Sequence, residues 1–349
     1  MLKQAPATRR QLTLLIAAAG VAIAVVVAAL VPVPYVILSP GPTLNTLGTQ
    51  SGKPLIVVSG HRTYPTNGHL NMVTVSYQGG PSDGFNLFTA LQAWLSPHEA
   101  VVPESELFGT DLTQQQVTRQ DTQQMVSSQQ LAQAAAMCQL GIDYDVVDTV
   151  VQVEPGTPAA GVLKRGDVIT AVDGKKLTCR AGAGALIRAR KPGAPVRLTI
   201  GRHGATRQFR MKTTDNKGNA VVGVGVSETY RFPFQVKINT GNIGGPSAGL
   251  MFALGIVDKL TPGDLTGGRF VAGTGEIETN GKVDPIGGVQ QKMAGARNAG
   301  ATVFLTPAAN CPDAVRAVPA GLRLIKVRSL SGALDALAAL KAGRPVPGC

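Results

Sequence analysis

The sequence predicts an α+β fold built from separate modules behind an N-terminal apolar helix. Three observations carry this. An uncharged apolar run occupies 12–31. From about 138 to 213 the pattern is short strands and turns. From 215 onward strands and helices mix without strict βαβ repetition.

At 349 residues the chain can hold two or three domains and bury a core. Its formal charge is +12. Many of the bases lie over 164–217 and in the first dozen residues, aromatics are few and no nucleic-acid motif appears. Nucleic acid is therefore not an expected partner, and attraction to anionic membrane or wall polymers fits the charge better.

Residues 1–11 carry Lys3, Arg9 and Arg10 and no acid. The run 12–31 is long enough to cross a bilayer as a helix, and the flanking bases place 1–11 in the cytoplasm. The expectation is a single-pass cell-membrane anchor with the remainder extracytoplasmic. A cleaved signal peptide is the rival reading, but 31–35, Val-Pro-Val-Pro-Tyr, is not an Ala-x-Ala site.

Residues 32–53, rich in Pro, Gly, Ser and Thr, read as a linker. A mixed α/β region then spans 54–137. Strand-like runs at 55–58 and 70–75 flank Asn67-Gly68, which suggests a hairpin. Gly79-Gly80-Pro81-Ser82 precedes a helical run at 85–95 with Phe88, Leu91 and Leu95 on one face. No lysine lies between Lys53 and Lys164, so Ser82 reads as a cap or turn residue. Trp94 is expected in the core. Gln-rich 110–136 reads as a surface helix.

In 138–213, 148–160 (Asp-Thr-Val-Val-Gln-Val-Glu-Pro-Gly-Thr-Pro-Ala-Ala) precedes 163–175 (Leu-Lys-Arg-Gly-Asp-Val-Ile-Thr-Ala-Val-Asp-Gly-Lys). Together these resemble a bacterial-type PDZ domain. The resemblance implies a groove that takes peptide tails of substrates or partners by strand addition, with Leu140, Gly141 and Ile142 as the candidate carboxylate loop. A spacer that binds nothing is the alternative.

In 215–343, strands are expected at 221–226, 234–238, 270–277, 301–305 and 322–327, with a closing helix at 331–340. Gly244-Gly245-Pro246-Ser247 forms a turn, with Pro246 expected as the first residue of an apolar helix. Ser247 then sits at a helix N-terminus, where backbone N–H groups favour negative charge. All four histidines precede the motif, so the candidate base is Lys292. It lies in a short helix closed by Gly300, on the apolar stripe with Val289, Met293 and Ala296. Burial lowers a lysine pKa, and a neutral amine can take a serine proton. Lys282, in an expected turn, and Lys259, near a helix end, are weaker bases.

Four blocks in this order, Gly-Pro-Ser-Ala-Gly at 245–249, Thr-Gly-Glu at 274–276, Gly-Lys-Val-Asp-Pro-Ile-Gly-Gly at 281–288 and Lys292, resemble the proteolytic domain of Lon proteases. The resemblance implies a Ser247–Lys292 dyad with Thr274 supporting the amine, protein or peptide substrates, and a homo-oligomeric, hexameric ring. The sequence departs from that pattern at Gly244, where Lon enzymes usually carry an acid. No Gly-x-x-x-x-Gly-Lys-[Ser/Thr] loop is present, so an ATP-independent serine endopeptidase is expected. The alternative is a catalytically idle PDZ scaffold at the membrane.

Cys138, Cys179, Cys311 and Cys349 allow three disulfide connectivities. Cys311–Cys349, flanking the C-terminal segment, is the first pairing and Cys138–Cys179 follows; free buried thiols stay open. No Cys/His spacing resembles a zinc site, and no metal or cofactor is expected.

Overall fold

Helix α1, Arg9–Leu30, is a 22-residue apolar rod with no buried residue, and it qualifies as a membrane span by length and composition. A computed structural model describes residues 9–81, 84–109 and 112–349. Ser82, read above as a cap or turn residue, and most of the basic N-terminal segment lie outside the described residues.

The segment expected to be a linker instead contributes β1, Pro32–Val33, and β2, Tyr35–Asn45. Pro40, Gly41 and Pro42 hide this strand from a propensity reading. The pairing absorbs them through a register shift between Pro40 and Thr43. The hairpin expected around Asn67-Gly68 does not form either. Strand β3, Ile56–Ser59, pairs with a distant strand at 235–238, while β4, His69–Gln78, pairs with β2.

The chain continues through β5, Phe85–Asn86, α2, Leu87–Trp94, and β6, Ala100–Pro103. Helix α3, Gln114–Leu140, opens with a capping box between Thr113 and Gln116 and ends at Gly141, with φ 69°. The surface helix expected here is exposed only in part, because 132–138 is entirely buried.

An antiparallel sheet follows, ordered β10-β9-β8-β7-β11. Its strands are β7, Asp145–Val153, β8, Val168–Val172, β9, Pro195–Arg202, β10, Ala205–Lys212, and β11, Val224–Arg231. Helix α4, Ala183–Arg188, covers its core of Val150, Ile169, Val172, Leu198 and Ile200. Arg202 grips both oxygens of Asp167 at 2.7 Å, which holds that carboxyl below its ordinary pKa.

After β12, Gln235–Ile238, come α5, Gly249–Leu260, β13, Phe270–Gly273, α6, Val289–Asn298, β14, Val303–Pro307, β15, Arg323–Val327, and α7, Leu330–Lys341. The main sheet runs β15-β14-β13-β4-β2-β6. Its β13, β14 and β15 are mutually parallel, β13 is parallel to β4, and β2 is antiparallel to both neighbours. The region expected as a separate unit at 54–137 therefore shares one sheet with 270–327. It also shares one core with the C-terminal part, through Leu70, Met72, Ala135, Leu254 and Leu305. The β7–β11 sheet is an insertion between the two parts.

Alternation along the strands sends Leu70, Met72, Leu305 and Ile325 toward α5 and α7. The intervening Val73, Ala272 and Phe304 face α6. Strand β14 is buried throughout, as a strand covered on both faces must be. Near the end of α5, buried Asp258 accepts from the Leu265 amide at 2.7 Å through one oxygen and leaves the other unpartnered. Cys138 is bonded to Cys179, tying the end of α3 to the inserted sheet module, and Cys311 is bonded to Cys349.

Candidate active site

Helix α5 begins at Gly249, not at Pro246, so Ser247 sits in the turn just before its first residue. Gly245 takes φ 88°, a conformation that glycine adopts without penalty. The turn is pinned from two sides. From α3, the Asp121 carbonyl accepts the Gly245 amide at 3.0 Å, and the Ser128 hydroxyl donates to the Pro246 carbonyl at 2.8 Å. From beyond β13, the Thr274 hydroxyl and the Gly275 amide both donate to the Ser247 carbonyl, at 3.0 and 2.9 Å. Thr274 thus holds the serine backbone, rather than meeting the lysine amine as the sequence suggested. It is fully buried, and a mid-core threonine hydroxyl must find some such acceptor.

Lys292 comes from the first turn of α6, whose apolar face carries it inward beside Val289, Met293 and Ala296. It is 4% exposed, and its Nζ lies 3.0 Å from Ser247 Oγ. Burial pushes its pKa down from 10.5 to about 8, while the neighbouring Glu276 carboxylate opposes the shift. Burial in turn raises Glu276, and the nearby Asp284 adds to that. A largely desolvated amine in contact with a hydroxyl is a competent general base. Lys282 is exposed and bridges Glu278 and Asp284 at 2.8 and 2.6 Å, so its amine is engaged elsewhere.

Ser247 and Lys292 open onto a cavity of about 870 Å³. Its walls include Met72 to Tyr77 of β4, Val117 to Met125 along α3, and Gly287-Gly288. Among the described residues no backbone carbonyl takes the N–H of Ser247 or of Ala248. Among the described residues Asp121 is the one carboxylate of the cavity wall, and burial raises its pKa. It packs directly on Gly244, where an added Cβ would stand 2.6 Å from the Asp121 Cβ. The position where the sequence departs from the Lon pattern is thus packed against the Cβ and backbone of an aspartate on α3. Sequence reading missed Asp121 and Ser128, and the available signal was slight: Asp121 is the only acid within α3.

The candidate carboxylate loop does not lie at a sheet edge. Leu140 ends α3, Gly141 caps it, and the Ile142 amide returns to the Met137 carbonyl at 2.9 Å. Leu140 and Ile142 pack on the main core, because the helix must close before the inserted sheet begins. The open edges of that sheet are β10 and β11. Among the described residues no group of three His, Cys, Asp or Glu side chains could hold a metal ion.

Comparison with known families sets the class. Residues 231–338 match the Lon protease (S16) C-terminal proteolytic domain, and residues 116–213 match a PDZ domain. The chain is therefore a PDZ-containing, Lon-like protein. It is 48% identical over 69 residues to a Lon protease of Roseiflexus castenholzii and 40% over 96 residues to one of Mycolicibacterium smegmatis. These matches cover 20% and 27% of this chain but only 8% and 12% of the relatives. Lon protease 2 of Bacillus subtilis is 39% identical over 95 residues, again 27% of this chain and 16% of the relative. The crystallised PDZ domain of an SdrC-like protein from Listeria monocytogenes aligns at 30% identity and a TM-score of 0.22, covering 24% of this chain and 90% of that one.

Proposed function

We propose that this chain is a serine endopeptidase held at the membrane by α1, which cleaves extracytoplasmic proteins or peptides without ATP. The observation that carries the proposal is the 3.0 Å contact between Lys292 Nζ and Ser247 Oγ in a buried setting. Neutral Lys292 takes the serine proton as Oγ attacks the scissile carbonyl, and a tetrahedral intermediate forms. Its oxyanion is received by the N–H groups of Ser247 and Ala248, at the positive end of α5. The lysine ammonium then protonates the leaving amine. In the second half-reaction it acts as base for the water that cleaves the acyl-enzyme.

Thr274 and Gly275 serve as positioning groups, fixing the serine backbone through its carbonyl. The PDZ module recruits peptide tails along its open edge β11, in place of Leu140–Ile142. Resemblance to Lon proteolytic domains supports assembly of copies into a ring.

The test is peptide or casein cleavage by the full chain, alongside Ser247→Ala and Lys292→Ala. Loss of turnover and of labelling by a serine-reactive probe in Ser247→Ala is expected. Near-normal turnover by Lys292→Ala would remove the dyad from consideration.

A further inference from the structure

Helix α2 is built with its apolar faces reversed. Its small residues Ala90 and Ala93 face inward against Ile37, Phe85, Val33 and Val101. Its large ones, Leu87, Phe88 and Leu91, face out, followed by Trp94 and Leu95 at 72% and 78% exposure. The expectation that Trp94 belongs to the core is thus overturned. A helix bedded on a water-soluble body buries its largest apolar side chains and shows water the rest. Here that order is inverted, and residues 84–97 carry no charge at all.

The helix also stands beside the anchor. Chain leaving α1 at Leu30 enters β1, and Val33 pairs with Phe85, so β5 and then α2 start alongside the end of the apolar rod. Helix α1 packs against both β5 and α2. Exposed Tyr35 follows at the same end. An uncharged apolar face continuous with a membrane-length helix, and ending in tryptophan, matches the chemistry of the bilayer interface.

We infer that the outward face of α2 lies in the headgroup and upper acyl region of the membrane that α1 crosses. The body is thereby seated on the lipid surface rather than tethered above it. This inference rests on the anchor reading of α1.

Trp94 is the only tryptophan of the chain, so its fluorescence reports this face alone. The full chain is reconstituted in phosphatidylcholine–phosphatidylglycerol vesicles and compared with vesicles whose acyl chains are brominated. Blue-shifted emission and several-fold quenching by the brominated lipid are expected. In Leu91→Glu/Leu95→Glu, whose circular dichroism should match wild type, the quenching should be lost while the protein still floats with the vesicles. If the chain survives an alkaline wash on the vesicles but Trp94 is unquenched, the anchor stands and the interfacial helix is wrong. Blue-shifted emission that ignores brominated lipid and follows protein concentration would assign the face to a second copy and overturn the inference. Failure to stay with the vesicles overturns both readings.

Discussion

Asp121 of α3 closes over Gly244, three residues ahead of the candidate nucleophile, so tightly that a methyl group there would stand 2.6 Å from the Asp121 Cβ. The two residues are far apart in sequence, yet they share the cavity wall with Ser247 and Lys292. At Gly244 the loop carries no side chain, and the Cβ and backbone of Asp121 on α3 fill the space beside it.

Steric exchange tests this pairing. Gly244→Asp should lower stability by about 1–3 kcal/mol, the usual cost of overpacking, and should depress peptide cleavage. Adding Asp121→Gly should restore much of both, measured by thermal unfolding and turnover. A double variant no better than Gly244→Asp alone would refute the exchange.

The buried amine of Lys292 should weaken the fold. Lys292 titrates near 8 in the folded protein against 10.5 when unperturbed. Between those values the unfolded chain holds the extra proton, so this group makes stability rise with pH from about 8 to 10.5. Below 8 the burial penalty is complete, on the order of 3 kcal/mol. Lys292→Met should therefore unfold at higher temperature than wild type at pH 7 while losing about 10⁴-fold or more in turnover.

The pH profile should follow the same group. In the proposed mechanism only the neutral amine acts, so kcat/KM should climb with pH and level off above about 8. Glu276 opposes the downward shift. Glu276→Gln should accordingly move the midpoint to lower pH. A midpoint that stays fixed, or moves upward, would show that the carboxylate does not act on Lys292.

Asp258 provides a control remote from the chemistry. Burial raises its pKa from 3.8 to about 6. The folded chain holds that proton longer than the unfolded one, so this group costs stability as pH rises from 3.8 to about 6 and no more above it. Asn can still accept from the Leu265 amide. Asp258→Asn should thus raise the unfolding temperature at pH 7, with a smaller gain at pH 4, and leave turnover unchanged.

The parts legible in sequence were those with a local signature. The turn before α5, the spacing to Lys292 and the apolar stripe of α6 are all short-range patterns, and they name the two side chains that meet at 3.0 Å. Strand β2 escaped because two prolines and a glycine interrupt it, and only its pairing with β4 shows how the bulge is absorbed. Strand β3 is a short apolar run whose partner lies beyond the inserted module, so adjacency suggested the wrong pairing. Thr274 was recognised, but not its acceptor, because a backbone carbonyl leaves no mark on sequence. Trp94 was misplaced because α2 turns its alanines inward and its large apolar side chains outward, the reverse of the usual rule of burial.

Strand β4 is an interior strand of the main sheet, yet its partner β13 is synthesised only after the whole PDZ module. A nascent chain emerging N-terminus first would hold β4 unmatched on one side until Phe270 to Gly273 has followed. The finished sheet, and with it the turn that holds Ser247, is then withheld from every truncated intermediate. The order of synthesis thus sets the moment at which Ser247 and Lys292 can first meet.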